Sequence, residues 1–336
     1  MKNEVKFCEF YIKIVLSIFL WLVLAFGFTA SLFAQGGAAG AFLRMGIGAR
    51  AKAMGDAYTA LAKGIEASYY NPAGLPLLEN KELITSFRFL SLDRQFTYLG
   101  FGVPIHPKVD KSGNKTIDGG FALSWIHAGV GDIDGRDSDG RPVGDLSNSE
   151  NAFIFSFALK PAKVFSLGLS VKVLWNRFPD VGINSETVSA TGVGFDFGAL
   201  FSPNQWVTFG IAVKDLNSKY TWNTDKIYGE DGSQTINKFP KVVRTGVAFV
   251  VPKIPELTLA FDYEDSKELN SRIHLGAEGV YKEVIVLRGG FDDGALTAGG
   301  GYHFDLFGKM AQLNYAFTSA GNRPDEEHIF TWVLQF

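Results

Sequence analysis

Apolar and polar side chains alternate at every second position along most of the chain, and this period is typical of β-strands whose two faces meet different surroundings. In SLGLSVKVLW, Leu167, Leu169, Val171, Val173 and Trp175 share one face, while glycine, serine and lysine occupy the other. The pattern predicts fourteen strands. They begin near Glu82, Gln95, Gly119, Asn151, Phe165, Ser189, Trp206, Lys241, Glu256, Ser271, Val284, Ala295, Lys309 and His328.

The last segment, HIFTWVLQF, decides between a soluble β-sandwich and a membrane barrel. It places Phe330, Trp332, Leu334 and Phe336 on one face at the very end of the chain, where water normally favours polar residues. In a closed barrel this strand pairs with the first one and these side chains meet lipid. The sequence therefore predicts a 14-stranded antiparallel outer-membrane β-barrel. Such an aromatic terminal strand also resembles the signal that the barrel-assembly machinery recognises.

The connections between the predicted strands alternate in length. Short links such as PAK and SPNQ follow the fourth and sixth strands, while long polar links follow the third, fifth and seventh. Outer-membrane barrels have short periplasmic turns and longer extracellular loops, so the long links are predicted to be extracellular. These links cover roughly 129–150, 178–188 and 216–239, and one long link, 104–118, falls on the short side.

The first 34 residues form a separate segment, with Lys2, Lys6 and Lys13 preceding a long apolar run that ends in small residues. This layout predicts a secretory signal peptide, residues 1–34, cleaved after Ala34. An uncleaved anchor is the alternative, because the apolar run is long enough to span a bilayer. The only cysteine, Cys8, lies in this segment, so the mature chain is predicted to contain no thiol.

Residues 35–80 do not alternate and are rich in alanine and glycine, in contrast to the predicted barrel of residues 81–336. Their segments GARAKAMGDAYTAL and EASYYNPAGL resemble the N-terminal signature of the PorV/PorQ family of outer-membrane proteins. More distantly, they are similar to the FadL long-chain fatty-acid transporter family. The resemblance implies that residues 35–80, the hatch, fold into the barrel lumen. The motif positions are Gly48, Arg50, Met54, Gly55, Asn71, Pro72, Ala73 and Gly74.

The chain departs from the resembled motif at one step of the hatch. Many relatives carry an acidic pair where this chain has Lys63 and Gly64, and Glu66 is the nearest carboxylate. A hatch salt bridge at this place is therefore in question. Two interpretations of the hatch stay open: a permanent plug that seals the lumen, or a plug whose turn at Asn71 is a movable latch.

The faces predicted to line the lumen carry charges of both signs. Their near balance argues against an ion filter of a single sign. It fits either an occluded barrel joined by ion pairs or a narrow path for an amphipathic ligand. The predicted lumen charges are Lys172, Asp196, Lys214, Arg244, Asp262, Glu264, Arg272, Glu278, Arg288 and Asp305.

Composition and motifs exclude several functions. A net charge of −3 gives no basic surface for nucleic acid, and no nucleophile, phosphate-loop or cofactor motif is present. We therefore predict no enzyme and no cofactor. The segment GDIDGRDSDGRPVGD offers a weak calcium candidate in Asp132, Asp134, Asp137 and Asp139, but its spacing differs from the EF-hand and solvated turns explain it better.

Two functions remain open at this point. The PorV/PorQ resemblance implies a component that handles secreted proteins, as in type IX secretion, with cargo held by loops 129–150 and 216–239. Trp222 and Tyr228 are the predicted aromatic contacts. The alternative is a FadL-like passive transporter of hydrophobic small molecules. The expected partners are membrane lipid, the assembly machinery, secreted cargo or secretion-system proteins, and a hydrophobic ligand.

Overall fold

A computed structural model describes most of the chain and shows a closed antiparallel β-barrel. The predicted signal peptide, residues 1–34, lies outside the described part. The described residues are 38–106, 117–137, 139–181, 186–321 and 325–336.

Fourteen strands of the described chain form the barrel wall, as the alternation predicted, and two more form a hairpin in an extracellular loop. The wall strands are β1 (Glu82–Phe89), β2 (Arg94–Ile105), β3 (Asp118–Arg136), β4 (Pro142–Ala162), β5 (Phe165–Val181), β6 (Glu186–Phe201), β7 (Val207–Leu216), β10 (Val242–Val250), β11 (Leu257–Ser266), β12 (Arg272–Tyr281), β13 (Ile285–Asp292), β14 (Ala295–Leu306), β15 (Lys309–Thr318) and β16 (Glu327–Gln335). The hairpin strands are β8 (Lys219–Asn223) and β9 (Gln234–Lys238).

The barrel closes through its first and last strands. β1 pairs with β16 over eight residue pairs, from Glu82 opposite Gln335 to Phe89 opposite His328. β7 pairs with β10, so the hairpin between them leaves the wall continuous. Closure gives the terminal strand a partner on both sides, because β16 also pairs with β15. No exposed sheet edge is left at this end of the chain.

The outer surface of the barrel is a belt of apolar side chains. Along β5, Leu167, Leu169, Val173 and Trp175 are exposed, whereas Lys172, between two of them, is buried in the lumen. On β16, Phe330 and Trp332 are exposed and Leu334 is partly exposed, and Phe336, directly after the strand, is exposed as well. These are the side chains that meet hydrocarbon in a membrane barrel. Recognition of this strand by the assembly machinery remains a prediction.

The predicted long loops are largely β-structure, which is a correction of the sequence interpretation. Most of 129–150 belongs to β3 and β4, whose ladder continues past an irregularity between Val130 and Ile133. The link 216–239 contains the β8–β9 hairpin and a short helix, Asp225–Tyr228. Backbone groups of paired strands keep bonding each other above the membrane. Both faces are wet there, so the alternation that reveals a strand is absent.

The hatch consists of short helical segments joined by turns, and nearly all of its residues from Phe42 to Pro76 are buried inside the barrel. Its segments contact strands on both sides of the lumen, from β2 round to β16. None of the helices in the described residues is long and apolar enough to cross a membrane. The helical segments are Ala41–Arg44, Ala49–Ala53, Ala67–Tyr70 and Pro72–Leu77.

Hatch and wall approach each other through glycine on both partners. A Cβ atom on Gly55, which has a φ of +63°, would lie 2.2 Å from the carbonyl oxygen of Leu275 in β12. A Cβ atom on Gly276, next in that strand, would lie 2.3 Å from the carbonyl oxygen of Met54. Any side chain at either position would separate the two backbones. Glycine therefore sets how closely the hatch packs.

We expect Leu169→Arg to destabilise the barrel by about 2–4 kcal/mol, because Leu169 lies in the lipid belt and arginine would carry a charge into hydrocarbon. The free energy of unfolding in lipid vesicles measures this effect. Phe307→Arg is the control, since Phe307 is 96% exposed in the turn after β14 and should tolerate the charge. Equal losses in both variants would contradict the placement of the belt.

Candidate functional site

The first cluster of charges between hatch and wall is centred on Glu278 of β12. Arg50 of the hatch donates two hydrogen bonds to this carboxylate, at 2.9 Å and 2.7 Å. Arg288 of β13 donates a third, at 2.7 Å. Arg50 also donates a hydrogen bond to the Tyr58 hydroxyl, and Arg288 donates one to Asn314 Oδ1. Charge-assisted bonds of this kind are strong where water is excluded.

The second cluster joins the hatch to β10, β12 and β13. Lys52 Nζ lies 2.7 Å from Asp292 Oδ2, and Arg244 lies 3.2 Å from Asp56 Oδ2. His274 bridges the two pairs, with Nδ1 3.0 Å from Asp292 and Nε2 2.8 Å from Arg244. Asp56, His274 and Asp292 are close enough to hold a metal ion. Lys52 and Arg244 already supply positive charge there, so we interpret the cluster as an ion-pair network.

A third cluster lies in the wall on β5, β6 and β7, next to the second, since β7 pairs with β10. Lys172 of β5 pairs with Asp196 of β6 at 2.7 Å and also with Asp215 of β7. Asp215 has a φ of +61°, and its backbone N–H donates to Asp196 at 2.8 Å. This arrangement coincides with an irregularity in the β6–β7 ladder. The buried charges thus pair with each other at one of the irregular places of the wall.

Eight of the ten predicted lumen charges are buried, and two lie at the rims. Arg272 is partly exposed and pairs with Asp293 at 3.5 Å. Asp305 is exposed and accepts a hydrogen bond from the backbone N–H of Gly308, so it belongs to a periplasmic turn and not to the lumen. This correction arises because the alternation of β14 continues past the membrane to the strand end. Of the buried charges, Asp262 accepts hydrogen bonds from the backbone of Tyr58 and Thr59.

The Asn71 turn is held in place by its own side chain. Asn71 is fully buried, and its Oδ1 accepts a hydrogen bond from the backbone N–H of Ala73. Its Nδ2 donates to the carbonyl oxygen of Thr59 at 2.9 Å and to that of Ala199 in β6 at 3.1 Å. Ser166 of β5 donates to the carbonyl oxygen of Ala73 at 2.7 Å. The turn is thus bonded to the wall through neutral groups only.

Beside this turn, two glycines of the wall leave only the strand backbone between the hatch and the outer surface of the barrel. A Cβ atom on Gly168 would lie 2.3 Å from the carbonyl carbon of Pro72, and one on Gly198 would lie 2.0 Å from Asn71 Oδ1. On the other side of the same backbone is an apolar depression of about 480 Å³ that faces lipid. Its lining includes Phe157, Leu167, Leu169, Phe197, Ile211 and Val213. We refer to this part of the wall as the glycine window.

The other motif positions also have defined places in the hatch. Gly48 has a φ of +68°, and a Cβ atom there would lie 1.7 Å from Glu66 Oε1. A Cβ atom on Gly74 would lie 2.0 Å from the carbonyl oxygen of Ala62. Met54 is buried between hatch and wall. These residues fix the internal packing of the hatch, whereas Arg50 and Asn71 fix its attachment to the wall.

Two polar cavities flank the hatch. The extracellular one measures about 320 Å³ and has Arg44, Arg94 and Asp325 in its lining. The periplasmic one measures about 190 Å³ and includes Glu66 and Glu82. Both have charged linings, whereas the depression at the glycine window is apolar. A hydrophobic molecule would therefore find its favourable surface at the wall.

The calcium candidate does not form a cluster. Asp134 pairs with Arg136 at 2.7 Å and Asp139 with Arg141 at 3.3 Å. Asp137 Oδ1 accepts hydrogen bonds from two backbone N–H groups of its own turn. All four carboxylates, including Asp132, are exposed. Arginine and backbone donors thus take the oxygens that a cation would need, as solvated turns do.

The predicted extracellular anchor Trp222 is engaged inside the protein. Its ring is half-buried, with its centroid 5.6 Å from that of Phe178 and 5.9 Å from that of Tyr220. Much of its surface therefore stabilises the hairpin and is not available to a partner. The side chain of Tyr228 lies outside the described part.

We expect Glu278→Gln to lower the free energy of unfolding by about 3–5 kcal/mol, because it leaves Arg50 and Arg288 buried without their counter-charge. Chemical denaturation in micelles measures the loss. Arg272→Gln breaks a partly exposed ion pair and should cost less than about 1 kcal/mol. A similar small loss for Glu278→Gln would contradict a tight attachment of the hatch on this side.

We expect Gly198→Ala to push the Asn71 turn away from the wall, because the new methyl group would overlap Asn71 Oδ1. More frequent open-channel events in planar bilayers would report the displaced hatch. Gly279→Ala is the matched control, since a Cβ atom there meets nothing within 4 Å. Identical conductance of Gly198→Ala and the unmodified protein would contradict a close contact at the glycine window.

Comparison with known proteins supports the fold through structure alone. No protein-family model and no curated protein sequence matches the chain. The Ralstonia pickettii toluene transporter TbuX is similar with a TM-score of 0.57, 14% identity, and coverage of 87% of this chain and 98% of that one. A Pseudomonas aeruginosa FadL homologue gives 0.56, 13%, 86% and 97%, and the P. putida toluene transporter TodX gives 0.54, 14%, 87% and 99%.

These similarities agree with the distant FadL resemblance of the hatch and do not show a PorV/PorQ relationship. Two of these similar structures are toluene transporters by name. The same architecture supports the predicted location in the bacterial outer membrane. The chain thus has the fold of the FadL-type outer-membrane transporters, a fourteen-stranded barrel with an N-terminal hatch.

Proposed function

We propose that the protein is a passive channel for small hydrophobic molecules across the outer membrane, opened by movement of the Asn71–Gly74 turn away from the glycine window. The observation that carries this proposal is the arrangement at Gly168 and Gly198. One layer of backbone separates the hatch turn inside from an apolar depression outside. A molecule that passes here enters hydrocarbon directly.

The β6–β7 seam is the most favourable place for such a passage. The two strands pair over six residue pairs, and the ladder is irregular between Phe195 and Phe197. The apolar depression spans this seam, since residues of both strands line it. By contrast, β5 and β6 pair along most of their length. Fewer backbone hydrogen bonds would have to open between β6 and β7.

The physical chemistry favours passive movement. An apolar molecule gains about 25 cal/mol for each Å² of surface that leaves water, so partition into the membrane supplies the driving force. No nucleotide-binding or catalytic motif is needed for this process. The similar structures include a toluene transporter and the monoaromatic hydrocarbon channel CymD, which makes toluene a suitable first probe. Oleate is the second probe and tests for a longer chain.

The alternative role in protein secretion has less support. It depends on aromatic anchors in the extracellular loops, and Trp222 packs against Phe178 and Tyr220. The part of loop 129–150 that was expected to hold cargo is a paired β-hairpin with exposed arginine and aspartate side chains. Neither feature favours a cargo-binding surface over an ordinary solvated one.

Locking the turn to the wall tests the proposed function. We expect a disulfide in Ser166→Cys/Ala73→Cys to stop uptake of radiolabelled toluene or oleate by cells that lack other hydrophobic channels. The two positions are adjacent, since Ser166 Oγ bonds the Ala73 carbonyl oxygen. Reduction of the disulfide should restore uptake. Cys8, in the predicted signal peptide, is the only native cysteine, so no other thiol should interfere.

A second disulfide is the matched control. Ala49→Cys/Thr331→Cys joins the hatch to β16 on the opposite side, where the Ala49 backbone N–H bonds Thr331 at 2.8 Å. This lock should leave uptake unchanged, because the hatch stays attached there during opening. Unchanged uptake in the Ser166→Cys/Ala73→Cys protein, with its disulfide formed, would contradict the proposal.

A further inference from the structure

The hatch contains one buried carboxylate that lacks a counter-charge. Glu66 is 6% exposed, and its Oε1 has no hydrogen-bond partner among the described residues. The side chain lines the periplasmic cavity of about 190 Å³. A buried charge without a partner is costly, so such a group exists either neutral or close to water that can solvate it. The cavity provides a path to that water.

The neighbouring charges do not neutralise Glu66. Arg50 comes from the hatch helix, but two of its donor groups bond Glu278 and a third bonds the Tyr58 hydroxyl. Lys63 lies at the cavity rim and forms no ion pair within the described residues. From β1, Glu82 adds a second carboxylate to the same cavity and accepts the backbone N–H of Ile65.

Glu66 connects the packing of the hatch with the Asn71 turn. Its Oε1 touches the backbone at Gly48, where only glycine leaves room for it. Its carbonyl oxygen accepts hydrogen bonds from the backbone of Tyr69 and Tyr70, in the helix that leads to Asn71. A displacement of the Glu66 side chain therefore affects both the backbone at Gly48 and the helix that leads to Asn71.

We propose that Glu66 is a proton-controlled latch, whose neutral form keeps the hatch closed and whose ionised form moves into the periplasmic cavity and releases the Asn71–Gly74 turn. The consequence for transport rests on the proposed function. The movement itself does not, because it can be measured without any transported molecule.

The expected pH range follows from the surroundings of Glu66. Burial raises the pKa of Glu66 to about 7. The charge of Glu82 adds to the rise, whereas Arg50, Tyr58 and Arg288 of β13 oppose it. A raised pKa means that the closed hatch prefers the neutral carboxyl. Its stabilisation is complete below the ordinary value of 4.5 and is lost as pH rises through about 7. The ratio of open to closed hatch should therefore increase by a factor on the order of a hundred between a pH below 4.5 and a pH well above 7.

Two readouts on the full-length mature protein test this latch. Infrared spectroscopy in lipid bilayers should show a protonated-carboxyl band that disappears with a midpoint near pH 7 and is absent in Glu66→Gln. Spin labels on Leu77→Cys of the hatch and Phe307→Cys of a wall turn, both exposed, should report a change of distance with the same midpoint. In the labelled Glu66→Gln protein the distance should stay at its low-pH value.

Glu79→Gln is the matched control, because Glu79 lines the same cavity but is exposed. It should leave the band and the distance change as they are. Lys63 is a second group at this cavity with a shifted pKa, which is lowered to about 8, chiefly by the charge of Arg50. Lys63→Met removes this group and should abolish neither the loss of the carboxyl band nor the distance change.

Three results would overturn the latch. They are a carboxyl band that does not titrate near pH 7, a band that titrates without any movement of the labels, and a distance change that survives in Glu66→Gln. The first two are measured on the native carboxylate, so the proposal stays testable even if Glu66→Gln fails to fold. A pH-dependent movement without toluene or oleate uptake would support the latch and contradict the proposed function.

Discussion

The width of the lumen is the constraint on which the rest of the structure depends. Fourteen strands enclose more space than their own side chains can fill. The hatch fills it with small residues that bring backbone against backbone, as at Gly55 and Gly276. A polypeptide enclosed in this way must also satisfy its polar groups without bulk water. The wall strands therefore carry charges that match those of the hatch.

The attachment of the hatch is chemically asymmetric. Towards β10–β13, Arg50, Lys52 and Asp56 form charged hydrogen bonds and ion pairs with the wall. Towards β5 and β6, Asn71 and Ala73 use neutral hydrogen bonds and glycine contacts. Buried ion pairs are costly to break singly, whereas neutral bonds contribute about 0.5–1.5 kcal/mol each. The contacts of the second side are thus the weaker ones, and the proposed opening begins there.

The sequence predicted the features that depend on periodicity. The fourteen strands and the lipid-facing side chains follow from alternation between two surroundings, and β16 showed it most clearly. The hatch contacts could not be predicted in the same way. Lys52, Asp56 and Asp292 are ordinary surface residue types, and only tertiary structure brings them together. The four-residue spacing between Lys52, on the short helix Ala49–Ala53, and Asp56, in the turn that follows it, was the only local signal.

The extracellular strands were missed for a related physical reason. Above the membrane both faces of β3 and β4 contact water, so the hairpin carries polar residues on both sides. The state of Glu66 could not be predicted for a different reason. Its sequence position suggested a weakened salt bridge, but only the structure shows that Arg50 turns to Glu278 and leaves Glu66 unpaired.

Residue-resolved hydrogen exchange of the protein in lipid bilayers tests the asymmetric attachment most directly. We expect the backbone N–H groups of Ala73 and Gly74 to exchange at least tenfold faster than those of Lys52 and Met54, although all four donate hydrogen bonds and are buried. Equal protection across the hatch would contradict it, because the hatch would then be a plug held equally on all sides.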